Sequence, residues 1–191
     1  MNPRAAALIA ASLAVGCVGY RGGARAIDPG RVATEPGWVV AAATPLVRQE
    51  GPDDCGAAAL AMVAARWHRP WPRLEVLAAL PPPVGAGASL GELRDAARGH
   101  RLTAFAIVGD RATLEHEVGA GRPVIVGLLL PYGGRWVQPH YEVLVAVRPA
   151  ADEFVTIDPA SGWRTRSWTA LDAEWRPAGR PALIVLGPIG R

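Results

Sequence analysis

The sequence predicts an α+β domain in which helices come first and pack on an antiparallel sheet. Three observations lead there. Helical signals dominate from Asp53 to Gly99, and strand-like segments dominate from Leu102 onward. Pro123 to Leu130 is a continuous apolar run that reads as a buried strand. The 191 residues, 50% hydrophobic and 19% charged, suffice for one ordinary domain with a real core and do not describe a disordered chain.

The elements follow in order. Trp38 to Ala43 is a short edge strand or extended arm. Residues 53 to 67 form a central helix with Asp53 or Asp54 as N-cap. Trp71 to Leu80 is a second, short helix, stopped by Pro81-Pro82-Pro83. Pro81 to Ala88 is a Pro/Gly loop and a candidate wall for a cleft. Ser89-Leu90-Gly91-Glu92 is a capping box that opens a helix to about Gly99. Leu102 to Val108 is a strand, Asp110 to Val118 a helix ended by Gly119-Ala120-Gly121, and Pro131-Tyr132-Gly133-Gly134 a turn. Val143 to Val147, Phe154 to Asp158 and Arg164 to Trp168 are strands. Thr169 to Trp175 is a short helix with Thr169 as N-cap, and Leu183 to Leu186 closes the sheet.

The N-terminus has its own logic. Arg4 precedes the apolar run Ala5 to Val15, which is too short to span a bilayer stably and ends in small residues. Leu13-Ala14-Val15-Gly16-Cys17 then resembles a bacterial lipobox, with Ala14 where a Leu is usual. Residues 1–17 are therefore expected to be a lipoprotein-type signal with lipid attached at Cys17, on the outer side of an envelope membrane. Each buried CH₂ of an acyl chain contributes about 0.8 kcal/mol. Plain secretion, with cleavage near Ala24 or Ala26, is the alternative. Residues 18–37, rich in Gly, Arg and Pro, read as a flexible tether. Residues 38–191 are the folded domain.

If Cys17 carries lipid, Cys55 is the one thiol left. An unpaired Cys in an oxidising compartment points to a reactive role rather than a structural one. A disulfide between Cys17 and Cys55 is the competing reading. Val47-Arg48-Gln49-Glu50-Gly51-Pro52-Asp53-Asp54-Cys55-Gly56 sets a Gln one short loop ahead of that Cys, and the Cys at the start of a helix. The positive end of the helix dipole favours thiolate there. A Gln just upstream can donate its side-chain N–H to an oxygen that becomes negative during acyl transfer. A thiol nucleophile also needs a base, and the base an orienting group. His140 opens a β-rich run, and Asp158 ends a short strand before a Pro/Gly turn. Two adjacent antiparallel strands can bring them side by side.

The chain order Gln49, Cys55, His140, Asp158 is that of papain-like enzymes. Over roughly residues 44 to 187 the sequence resembles the bacteriocin-processing, double-glycine leader peptidases, family 39 of the cysteine peptidases. The resemblance rests on the Gln49-to-Cys55 spacing with Asp54-Cys55-Gly56, on the Ala-Leu-Ala-Met-Val helix, and on His140-Tyr141 leading a hydrophobic strand. Asp158-Pro159-Ala160-Ser161-Gly162 and Trp168-Thr169-Ala170-Leu171-Asp172-Ala173-Glu174-Trp175 add to it. It implies a papain-like fold, Cys55 as nucleophile, His140 as general base and acid, Asp158 as orienter and Gln49 as oxyanion donor. It also implies a peptide or protein substrate, cleavage at Gly-Gly-type leader sites, an exporter partner and no cofactor or metal. The best-known members are fused to a transporter, whereas this chain reads as a standalone, lipoprotein-like member. Glu142 departs from the family's apolar strand residue. It shares a strand face with His140 and reads first as a solvated charge on a strand edge, with a place near the site or at its rim, where it could tune His140, as the alternative.

Two other functions fit the same residues. A Cys-His-Asp set can hand its acyl group to an amine instead of water, which makes an amide-forming acyltransferase. A catalytically silent cleft would only bind peptide. Nucleic-acid binding is excluded by the modest net charge of +3, the even spread of Arg and the lack of an aromatic-plus-basic motif. His68, His100 and His116 lack ligand-like spacing and read as surface residues. Trp136 and Trp163, near the His and Asp segments, are candidates to line the cleft. Gly133-Gly134 is a turn and not a phosphate loop.

Overall fold

The computed structural model describes residues 19–82 and 87–188. The chain runs through β1 (Arg25–Ala26), α1 (Pro29–Thr34), β2 (Val39–Val40), α2 (Cys55–Arg66), α3 (Arg73–Ala79), α4 (Leu90–Gly99) and β3 (Leu102–Val108). It continues through α5 (Arg111–Gly119), β4 (Val124–Tyr132), β5 (Trp136–Arg148), β6 (Glu153–Asp158), β7 (Gly162–Ser167), α6 (Trp168–Trp175) and β8 (Pro181–Pro188). The strands form one antiparallel sheet ordered β1-β7-β6-β5-β4-β8-β3, with β2 added against β5. This is the α+β arrangement that the sequence predicts.

Alternation along the central strands builds two cores, one on each face. Ile125, Val143, Val145, Val155, Ile157, Leu183 and Val185 pack with α2 and with Leu93 and Ala97 of α4. Val124, Val126, Leu128, Leu130, Leu144, Ala182 and Ile184 pack with Leu114 and Val118 of α5 and with Leu171 and Trp175 of α6. This is the period-two pattern of a sheet covered on both sides. α2 is buried from Cys55 to Ala64. Its alanines let it lie close over the sheet, so its first residue is set deep in the molecule rather than on a surface turn.

Helix caps are as the sequence predicts at two places, the starts of α4 and α2. Ser89 and Glu92 form the capping box of α4. Asp110 caps α5 by accepting from Thr113, and Asp54 is the N-cap residue of α2. The α6 cap falls two residues before Thr169, on Ser167, which accepts from the Ala170 N–H. α3 starts at Arg73 and not at Trp71, because Pro72 takes the N-cap position.

Three expectations are corrected. His140 does not open a strand. β5 begins at Trp136 and pairs with β4 as far as Tyr132↔Trp136, around a turn through Gly133 and Gly134 at positive φ. Pro131 and Pro139 sit in that hairpin where the ladder involves β4 and β5 alone, a place where a missing N–H costs little. The tether reading also changes. From Gly19 on, the segment before residue 37 is docked: β1 pairs with β7, and Asp28 caps α1. Its contacts are tertiary and polar, so periodicity does not reveal them. Cys17 and residues 1–18 lie outside the described residues. The third correction concerns Glu142. It is fully buried and ion-paired instead of solvated, because β5 is an inner strand.

Candidate active site

Cys55 is the first residue of α2, it is buried, and it has no disulfide partner among the described residues. Asp54 holds the N-cap position but makes no side-chain bond to the helix. Its carboxylate instead accepts from the N–H groups of Glu50 (3.2 Å) and Gly51 (3.1 Å) and pairs with Arg73. Arg73 also reaches Glu50 at 2.5 Å. The acid that would cap the helix is thus turned back onto the preceding loop and neutralised. Among the described residues the first N–H groups of α2 have no side-chain acceptor, so the positive end of the helix faces the site.

Beside Cys55 lies a cavity of about 320 Å³ lined by Gly87, Ala88, Ser89, Glu92, Pro139 and Tyr141. The Pro/Gly loop after α3 therefore supplies a wall, as expected for its described residues. Gly87 has φ +84°, and a Cβ there would sit 2.8 Å from the Asp53 carbonyl oxygen. Only glycine lets this wall approach the loop before Cys55 so closely. Trp136 and Trp163 do not line this cavity. Trp136 is exposed on the hairpin, and Trp163 packs on the core under α2.

His140 and Asp158 are brought together by the sheet. The β5–β6 register pairs Val143 with Ile157. One step further, Asp158 stands opposite Glu142 and diagonal to His140, within reach on one strand face. His140 Nε2 and Asp158 Oδ1 are 2.7 Å apart, and both side chains are buried. That bond leaves Nδ1 for the thiol, and Cys55 is a hydrogen-bonding and charge partner of the ring. Burial alone would lower the His140 pKa. The bonds to Asp158 and then Cys55, with the negative charge each can carry, overcome burial and push it up to about 10. Burial likewise pulls the Asp158 carboxyl upward, but the bond and charge of His140, with Ser161 and Tyr20, hold it well below the usual carboxylate range. An imidazolium locked to a carboxylate is what a thiolate needs beside it.

Asp158 is held on every side. Its Oδ1 also accepts from the Ala160 N–H at 2.8 Å, and its Oδ2 accepts from the Ser161 hydroxyl and from the Tyr20 hydroxyl at 2.6 Å. Burial, with the negative Glu142 and Asp158 nearby, pushes the Tyr20 phenol up, so it stays a donor. Tyr20 was not legible as a site residue, because it falls in a Gly/Arg-rich stretch that carries no motif.

Gln49 sits on the loop ahead of α2. Its backbone N–H donates to the Pro159 carbonyl at 3.2 Å, which ties this loop to the one after Asp158. Its Nε2 donates to Gly51 O at 3.0 Å, and its Oε1 is buried with no partner among the described residues. The amide nitrogen keeps a second N–H beyond that bond.

A second buried cluster adjoins the first. Glu142 Oε2 accepts from the Thr156 hydroxyl at 2.5 Å and from Arg166, whose other terminal nitrogen lies 2.6 Å from Glu174 Oε2. Atoms of His140, Glu142 and Asp158 that could ligate a metal come within 4.8 Å of one another. Arg166 pairs with Glu142, and four donors surround Asp158, so the set is arranged to accept protons and cationic side chains. His68 and His116 are exposed, which fits the surface reading, whereas His100 is half-buried and stacks on Trp71 at 4.0 Å.

The sequence profile described as the peptidase C39 family matches residues 43–179. No curated protein sequence matches the chain. Among solved structures it is similar to a double glycine motif protease from an AMS/PCAT transporter in complex with the leader peptide. That likeness has 23% identity and a TM-score of 0.59, and covers 78% of this chain and 95% of the other. It is also similar to the peptidase domain of Streptococcus ComA, a bi-functional ABC transporter involved in a quorum sensing pathway, at 21% identity and a TM-score of 0.62. There the coverage is 77% and 100%. A C39-like peptidase from Bacillus anthracis aligns at 15% identity and a TM-score of 0.63, over 81% of this chain and 98% of that one. At these identities the structural likenesses establish the papain-like fold.

Proposed function

The chain belongs to the peptidase C39 family and is a cysteine peptidase; from that premise we propose that it cleaves peptides at Gly-Gly-type leader sites, with Cys55, His140, Asp158 and Gln49 as its reacting set. One observation carries the assignment: a thiol at the uncapped start of α2 shares the His140 ring with Asp158. In this reading the Cys55 thiolate attacks the scissile carbonyl carbon. The oxyanion is held by the Cys55 backbone N–H and the remaining Nε2 hydrogen of Gln49. His140 passes its proton to the leaving amine and then takes one from the water that opens the thioester. The cavity walls at Gly87, Pro139 and Tyr141 favour small residues at the bond cleaved. The double-glycine protease with its leader peptide supports the same class of substrate.

We also propose that the peptidase is anchored in the cell envelope through lipid on Cys17. Among the described residues no helix is long and apolar enough to cross a membrane. The mass of the mature N-terminus tests the anchor. Diacylated Cys17 is expected, and an unmodified residue beyond position 17 would overturn it. The substrate reading is tested with paired synthetic peptides that carry Gly-Gly or Val-Val before the scissile bond, their products identified by mass. Cleavage after Gly-Gly alone, lost in Cys55→Ala, is expected. Equal cleavage of both peptides would remove the Gly-Gly assignment, and cleavage by Cys55→Ala would remove the nucleophile.

A further inference from the structure

The family match begins at residue 43, yet a side chain from before it reaches the heart of the site. Asp158 must present Oδ1 to His140 Nε2, but the torsion that turns a carboxylate about its last bond is broad and soft. Two donors on each oxygen remove that freedom. His140 and the Ala160 N–H take Oδ1, while Ser161 and Tyr20 take Oδ2. Three of these donors lie within the matched residues, and Tyr20 does not.

The segment that carries Tyr20 is built to stay. The Gly19 N–H donates to Pro131 O at 3.0 Å. The N–H groups of Arg21 and Gly22 donate to Glu174 Oε1 at 2.6 Å and 3.4 Å. β1 then pairs with β7, Arg25 opposite Thr165. The Tyr20 ring lies 5.1 Å from the Arg166 guanidinium and 5.7 Å from that of Arg164, within the range of cation–π attraction. Gly22 lies so close to α6 that an added Cβ would be 2.4 Å from Ala170. The segment is thus a strap across the sheet, pinned on both sides of the tyrosine.

We propose that Tyr20 is a positioning residue of this peptidase: the strap Gly19–Ala26 delivers its hydroxyl to Asp158 Oδ2 and thereby aims Oδ1 at His140. The proposal rests on the reading of Cys55, His140 and Asp158 as the reacting set. Its consequence is that the segment next to the proposed lipid site completes the site chemically, so displacing the strap lowers reactivity at Cys55 without touching Cys55.

The test uses the full chain and the alkylation of Cys55 by iodoacetamide from about pH 5 to pH 10, which requires no knowledge of the substrate. Losing one net hydrogen bond predicts that Tyr20→Phe alkylates about threefold to tenfold more slowly near pH 6. Near pH 10 the two rates converge, because a free thiol of pKa about 8.5 is then ionised without help. In an Asp158→Asn background, Tyr20→Phe has no further effect. Gly22→Val, which lifts the strap and keeps the tyrosine, reproduces the Tyr20→Phe profile. A Tyr20→Phe profile that overlays wild type overturns the proposal, and so does slowing that persists at every pH and in Asp158→Asn. A His140→Ala profile identical to wild type would overturn the reading beneath it, and the proposal with it.

Discussion

Two buried carboxylates stand side by side across the β5–β6 ladder, and their surroundings differ in kind. Asp158 is held by an imidazole, two hydroxyls and a backbone N–H. Glu142 is held by Thr156 and a guanidinium, which Glu174 shares from the far side. A guanidinium is a permanent cation and keeps its protons. An imidazole can give its proton up and take it back. In the proposed mechanism the same carboxylate group thus serves chemistry in one place and architecture in the other, and the partner decides which.

This difference can be broken by substitution. Asp158→Asn keeps the shape but removes the charge that steadies His140. A loss of about ten thousandfold in peptide turnover per folded molecule is expected, as for the analogous change in other triads. Glu142→Gln should do the opposite. Removing one member of a buried ion pair costs about 3–5 kcal/mol of stability, measurable by urea unfolding, while turnover per folded molecule stays near wild type. Replacing Glu142, Arg166 and Glu174 together by apolar residues of similar volume should cost less than Glu142→Gln alone, since no charge is then left buried and unpaired.

Gln49→Ala sharpens the site side of the comparison. It should lose roughly a hundredfold in turnover, about 3 kcal/mol of transition-state stabilisation, and still fold. Full activity would remove Gln49 from the mechanism. A further expected effect is on pH dependence. The His140 pKa is raised from 6.5 to about 10, so its contribution to stability is complete below 6.5 and fades as pH climbs toward 10. The depressed Asp158 contributes above its ordinary 3.8 and loses that as pH falls further. The stability gap between wild type and His140→Ala should therefore be widest between about pH 4 and 6.5 and narrow by pH 10, followed by denaturant unfolding across that range.

Much of this was legible because it is local. The apolar run after Cys55, the Ser89 capping box, and the segments Leu102–Val108 and Phe154–Asp158 declare themselves by periodicity and caps. Cys55, His140, Asp158 and Gln49 were legible by residue type and chain order, and the structure sets the first three in contact. What escaped depends on partners distant in sequence. Glu142 read as solvated because its cation, Arg166, lies on another strand and the depth of β5 is a property of the whole sheet. Tyr20 escaped because its partner Asp158 is far along the chain and nothing near it repeats. The diversion of Asp54 away from capping needed Arg73, which follows a loop and a proline.

The central claim is that Cys55 and His140 form a thiolate–imidazolium pair. The most direct measurement is the rate of Cys55 alkylation by iodoacetamide near neutral pH, in wild type and in His140→Ala. The pair predicts that wild type reacts much faster than a model thiol of pKa about 8.5, only a few per cent of which is ionised at pH 7, and that His140→Ala falls back toward that thiol. Equal rates in the two proteins would contradict the pairing.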